Sequence, residues 1–271
     1  MIASLSLYSS LVLLGLGCLC MIRPLRMIRV RTRRRGAALA AVGLGIALVA
    51  AFLPAPEIRV SRPSSKLDAF MPVWEFDEHH LTRVPAPPER VYRAIHNVRA
   101  DEITLFRFLT AVRRGGRRTR ESILNAPDEK PILEVATRSG FIWLADEAPR
   151  ELVVGSVISA PAGVRIGRLT PDKFRRELPP GITLATMNFI VTPDATGGSI
   201  VSTTTRVHAN SLSARRRFAV YWRLIYPGSS FIRVMWLRAI RLRAVREMPS
   251  NVVDVSERVI ERIAASHLSI S

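Results

Sequence analysis

Residues 76–98, FDEHHLTRVPAPPERVYRAIHNV, change their hydrophobic period halfway along. Up to Val84 the stretch reads as a strand, carried by Phe76, Leu81 and Val84. Pro87 and Pro88 then stand where a helix begins, because proline's fixed φ suits a first turn and its missing N–H costs nothing there. Val91, Ile95 and Val98 recur at helical spacing. A strand running straight into an amphipathic helix points to a mixed fold, and the rest of the chain is added to it in order.

Downstream, residues 103–112 (ITLFRFLTAV) read as a second short helix, and 113–130 as an arginine-rich loop containing Gly115 and Gly116. ILEVATRSG looks like a helical turn closed by Gly140. FIWLADE and ELVVGSVI flank Ala148-Pro149-Arg150, a strand–turn–strand signal. Residues 159–180 are broken by Pro161, Gly163, Gly167 and Pro171, with one strand expected near Phe174. ITLATMNFIVTPD and SIVSTTTRVHA are two long strands whose glycine-containing turn (195–198) predicts a hairpin.

The last third turns helical. Tyr221, Trp222, Ile225, Ile232, Met235, Trp236 and Ala239 share a face with Phe218 at about 100° per residue. Arg216, Arg223, Arg238 and Arg241 lie opposite, and Pro227-Gly228 predicts a kink or two consecutive helices. The fold class is therefore α+β: a curved antiparallel sheet packed on a long C-terminal helix.

This order, with HHLTRVPAPPERVYRAIHNV, GFIWLADEAPRELVVGSV, TLATMNFIV and PGSSFIRVMWLRAIRLRA, resembles the START-like (SRPBCC, helix-grip) superfamily over roughly residues 76–246. The resemblance implies a deep cavity between sheet and C-terminal helix, in which members hold lipids, sterols, polyketides or hormones. A minority are enzymes, and none of their catalytic motifs carries over onto residues of this sequence.

Upstream lies a separate unit. Residues 3–22 and 36–53 are uncharged apolar runs, each long enough as a helix to approach a bilayer core of about 30 Å. Between them (23–35) stand seven arginines, and the basic residues of a signal peptide would precede the apolar run rather than follow it. The expected organisation is a two-helix transmembrane anchor over 1–56, a Pro/Ser-rich linker over 57–72, the START-like domain over 73–247, and an amphipathic segment or tail over 248–271. Cys18 and Cys20, two apart on a helix, point to different faces and read as ordinary apolar positions. Pairs of small residues, Gly36 with Ala40 and Ala41 with Gly45, suit close packing of the two helices. An arginine-rich short loop stays cytoplasmic, which puts the main domain of this two-pass chain on the extracytoplasmic side of the cell membrane.

The chain carries 40 basic against 22 acidic residues, all the acids at Glu57 or later. Such basicity suits polyanions, but only three of the 40 are lysines, a skew that reflects codon composition as readily as a binding surface. With an anchor and no nucleic-acid motif, membrane lipids are the expected partner of Arg216, Arg223, Arg238 and Arg241, and nucleic acid is not. His79 and His80 are adjacent on a strand and face opposite sides, so one metal ion could not use both. There is no HExxH, GxSxG or phosphate-loop pattern, and no metal or cofactor is expected. The candidate cavity residues are Arg107, Trp143, Asn188, Tyr221 and Trp222, the polar two because a buried polar group must find a partner.

The reading is a membrane-anchored binding protein for a hydrophobic or amphipathic small molecule rather than an enzyme. The alternatives are a cavity enzyme related to polyketide cyclases and dehydratases, or a partner-binding module with a collapsed cavity. A reporter active only outside the cytoplasm, fused after Ser271, is expected to be active; a silent fusion overturns the orientation.

Overall fold

A computed structural model describes residues 2–22, 32–53, 55–117, 121–176, 178–195 and 197–246, without the side chains of 2–5 and 51. Most of the arginine loop (23–31) and the segment 248–271 lie outside the described residues.

The chain opens with α1 (Ile2–Ile22) and α2 (Arg33–Phe52), packed side by side as a hairpin. The second helix begins three residues before the expected start, because the Thr32 hydroxyl caps it by accepting the Arg35 N–H at 3.3 Å. Gly36, Ala40, Gly43, Ala47 and Ala50 are the buried stripe of α2, facing Ser10, Gly17 and Cys20 of α1. A Cβ on Gly17 would fall 2.4 Å from the Ala40 nitrogen, and one on Gly43 2.6 Å from that of Leu14, so the two backbones touch. Gly36 and Ala40 pack as expected, whereas Ala41 and Gly45 face outward, because the contact follows a seven-residue repeat. Cys20 is buried and Cys18 exposed. Among the described residues no helix is long and apolar enough to cross a membrane; α2 itself starts on three arginines.

Beyond the hairpin come β1 (Ile58–Arg59), α3 (Lys66–Phe70), β2 (Val73–Trp74), β3 (Phe76–Val84), α4 (Pro88–Asn97), α5 (Phe106–Arg113) and α6 (Ile132–Arg138). Then follow β4 (Phe141–Glu147), β5 (Glu151–Ser159), α7 (Pro171–Arg175), β6 (Thr183–Pro193), β7 (Ser199–Ala209) and α8 (Leu212–Arg246). Five strands form an antiparallel sheet in the order β3-β7-β6-β5-β4, which with the long C-terminal helix fits the helix-grip arrangement. Bulges at Trp143/Ala145 and Val157/Ser159 bend the β4–β5–β6 side.

Against the inner face lie α4 and α8. Val91 and Ile95 of α4 meet Leu152 and Val201, and Trp236 of α8 meets Phe189 edge-on at 5.3 Å. Phe76 packs on Phe218 and Trp222 further up the helix. The inward residues of β3 include Phe76, Glu78 and Val84, while Leu81 faces out, so the opening strand is carried by Phe76 and Val84 as expected but not by Leu81.

The outer face is covered as well. The stretch expected to be a linker is structured: β1 and β2 pair as a ribbon, and Ser65 and Asp68 form a capping box on α3. Leu67, Phe70, Met71 and Trp74 pack on Leu144 and Val153, joined by Phe174 from α7, a helical turn where a strand was expected. Arg206 and His208, on the outward side of β7, are therefore covered. The Arg206 guanidinium sits 3.8 Å over the Trp74 ring and donates to Asp68 Oδ1 at 2.8 Å.

The hairpin meets α8 at its proline. In a regular helix the Arg223 carbonyl would accept from residue 227, but Pro227 has no N–H to give. The Tyr8 hydroxyl of α1 fills the gap, donating to the Arg223 carbonyl at 2.7 Å. The Arg223 guanidinium donates to the Leu53 carbonyl at the end of α2, at 2.6 Å. With the lost bond made good from outside, α8 continues as one helix through the expected interruption.

Asp68 carries the outer layer's strongest pH signal. Burial alone would raise its carboxyl, but hydrogen bonds from the Ser64 N–H, Arg206 and Ser65, with the Arg206 charge, hold it below the usual carboxylate range. A depressed carboxylate stabilises the fold above its unfolded value, near 3.9, and loses that contribution as pH falls through the folded value. Asp68→Asn should cost about 2 kcal/mol at neutral pH, with the gap to wild type closing below about pH 4. Unfolding of the full chain across pH checks this; a gap constant down to about pH 3 refutes it.

Candidate functional site

The concave face of the sheet and α8 do not meet everywhere. Between them, roofed by α5, is a cavity of about 310 Å³. Its walls are mostly apolar: Phe106 from α5, Phe141 from β4, Met187 from β6, Val207 from β7, and Trp222 and Ile232 from α8. It lies between the Trp236–Phe189 contact and the contact of Phe76 with Phe218 and Trp222, and Pro227 lies in the same stretch of helix.

The polar groups are gathered on one side. Ser229 and Arg233, one helical turn apart, both line the cavity and both reach the buried carboxylate of Glu78 on β3. The Ser229 hydroxyl donates to Glu78 Oε1 at 3.0 Å and the Arg233 guanidinium at 3.3 Å. A second Arg233 nitrogen lies against the Met187 sulfur. Burial pushes the Arg233 guanidinium down, and the Glu78 charge pulls it back up. His80, bonded to the Ser230 hydroxyl at 3.2 Å, is also pushed down by burial, against the pull of Glu78. Thr205 stands directly opposite Glu78 in the β3–β7 register and lines the cavity too. At the exposed edge, Arg113 of α5 donates to the Tyr221 hydroxyl at 2.8 Å, bridging roof and helix.

Two of the expected cavity residues, Tyr221 and Trp222, line this space. The other three do not. Arg107 points outward and pairs with Asp128 at 2.7 Å. Trp143 stacks on His96 at 5.5 Å near the other end of the sheet. Asn188 does find partners, but on the outer face: it donates to Glu151 Oε1 at 2.9 Å and accepts the Thr204 N–H at 3.0 Å. Glu151 also receives the Lys66 and Leu67 N–H groups, so this pair ties α3 to the sheet. Of the four arginines expected to meet lipid, Arg223 is buried, while Arg216, Arg238 and Arg241 are exposed.

Glu78, Thr205, Ser229 and Arg233 escaped the sequence reading, though a signal was available. Ser229 falls about 20°, and Arg233 about 60°, from Phe218 on the helical wheel, within the apolar face. A larger groove of about 850 Å³ lies outside the sheet between Phe70–Val73 and the start of α8, open to solvent. Its Arg215 is already paired with Glu57 and Glu75.

Glu78 and Arg233 neutralise each other out of contact with most solvent, so removing either leaves an uncompensated charge. Arg233→Met should lower stability by about 3–5 kcal/mol, and adding Glu78→Gln should recover most of the loss. A double-variant cost equal to the sum of the Arg233→Met and Glu78→Gln costs, read by denaturant unfolding, would show that the pair is not coupled.

No family model matches the chain, and no curated protein matches it. Among solved structures, protein MLL2253 from Mesorhizobium loti is similar at 14% identity and a TM-score of 0.31, over 64% of this chain and 100% of that one. TTHA0849 from Thermus thermophilus aligns at 13% identity and a TM-score of 0.27, over 64% of this chain and 100% of its own. Ara h 8.0201 aligns at 11% identity and a TM-score of 0.22, over 64% and 99%. Overlaps this small carry no argument about the site, and the fold rests on the strand order and the long helix of the chain itself.

Proposed function

We propose that this chain is a binding protein for an amphipathic small molecule, held at a membrane by the α1–α2 hairpin. The observation that carries the binding half is the cavity under α8: an apolar chamber with its polar groups on one side. At about 310 Å³ it is near the lower end of small-molecule sites, which suits a single-chain or ring-shaped molecule better than a two-chained lipid.

The membrane half is supported by what the hairpin leaves uncovered. Its inner stripe is small residues, and its large side chains, among them Val12, Leu19, Val42, Val49 and Phe52, face outward with 49% to 68% of their surface exposed. Apolar surface this continuous calls for lipid or another apolar cover. The arginines that begin α2 suit anionic headgroups, with the domain on the far side of the bilayer from the arginine loop. On the domain's own side of the bilayer, Arg216 lies near the hairpin-proximal end of α8 and is better placed to meet headgroups than Arg238 or Arg241. Arg238 and Arg241 are about 22 and 27 Å beyond Arg223 along the helix.

Native mass spectrometry of the detergent-purified full chain tests the binding half. A small apolar molecule should co-purify, and Ile232→Trp, which fills the chamber, should abolish it while the protein stays folded. Retention of the same ligand by the filled variant, or no ligand and no uptake of any apolar probe by wild type, overturns the proposal. Release of a chemically altered product would favour the cavity enzyme.

A further inference from the structure

Granted a ligand in the cavity, the polar side of the chamber decides its chemistry. Glu78 has one carboxylate oxygen bonded to Ser229 and Arg233, while the other, Oε2, is buried with no partner. The Thr205 hydroxyl, paired across the strands with Glu78, is also buried and without a partner. Trp236, another lining residue, has a buried Nε1 in the same condition. Thr205 and Trp236 line the chamber, and Glu78 stands behind the lining Ser229 and Arg233, opposite Thr205. Buried polar atoms normally find partners, so these three unmade bonds mark where an absent group belongs.

The kind of group follows from what each atom can do. An ionised carboxylate oxygen only accepts, so its partner must be a donor. An ionised acid offers no donor and would meet the Glu78 charge. An ammonium would donate but would sit beside Arg233. The Glu78–Arg233 pair is already balanced, and neighbouring His80 is occupied by Ser230. Arg113 adds a positive charge, but at the exposed edge of the chamber, where it holds the Tyr221 hydroxyl and water screens it. Thr205 can accept or donate, and Trp236 Nε1 donates. An uncharged hydroxyl fits this set: it gives its proton to Glu78 Oε2 and offers its lone pairs to Thr205 or Trp236.

We infer that the polar end of the ligand is an uncharged hydroxyl, read by Glu78 Oε2 and Thr205, and that the site discriminates against a carboxylate of the same length. This rests on the cavity being a ligand site.

The test uses the full chain in detergent, with dodecanol and dodecanoate as probes and the fluorescence of the cavity tryptophans as readout. Wild type should bind dodecanol about tenfold more tightly than dodecanoate. Thr205→Val should weaken dodecanol by about tenfold and leave dodecanoate within about twofold. Glu78→Gln leaves Arg233 unbalanced and should reverse the preference. Equal binding of the two probes by wild type, or a preference unchanged in both variants, overturns the inference while leaving the cavity as a binding site. If neither probe binds and nothing co-purifies, the binding reading fails and takes the inference with it.

Discussion

Much of the domain answers to one constraint: the central strands of the sheet are buried on both faces. Strand β6 buries residues of either parity, Met187 and Phe189 toward α8 and Asn188 and Thr186 toward the outer layer. An antiparallel sheet usually keeps one face wet. Here the central strands have neither face wet: one long helix covers one side, and a patchwork of ribbon, capped turn and short helix covers the other. The outer cover does not rest on packing alone. It is fastened by buried carboxylates: Glu151 to the α3 N-terminus, Asp68 to Arg206, and Glu75 to His208, Arg215 and the Ala209 N–H.

Those fastenings explain what could be read in advance. Periodicity found the strands at 76–84, 183–193 and 199–209, the amphipathic helix after Pro87, and the long C-terminal helix, because each repeats one physical demand over many residues. The outer layer could not be found this way. Its elements are two to five residues long, and its prolines and serines look like those of a linker, although Ser65 is a helix cap and Phe70 a core residue.

Asn188 shows the limit more sharply. The rule that a buried amide needs a partner held, but parity along a strand buried on both sides does not say which face is which. Polar residues in the cavity were hidden for the opposite reason. Glu78 sits among ordinary charged residues, and Arg233 belongs to a helix in which arginine is common, so composition masked the position that mattered.

Pro227 breaks the backbone bonding of α8 in the same stretch that walls the cavity, and the remedy comes from another part of the chain, the Tyr8 hydroxyl. The hairpin is thus a splint on the longest helix, bound at its fracture, with Arg223 tied to Leu53 as a second lashing. The domain is consequently not a cargo merely hung from a tether. Excised from its first 53 residues it would lose the brace on one wall of its own cavity, and any shift of that wall must be carried into the hairpin.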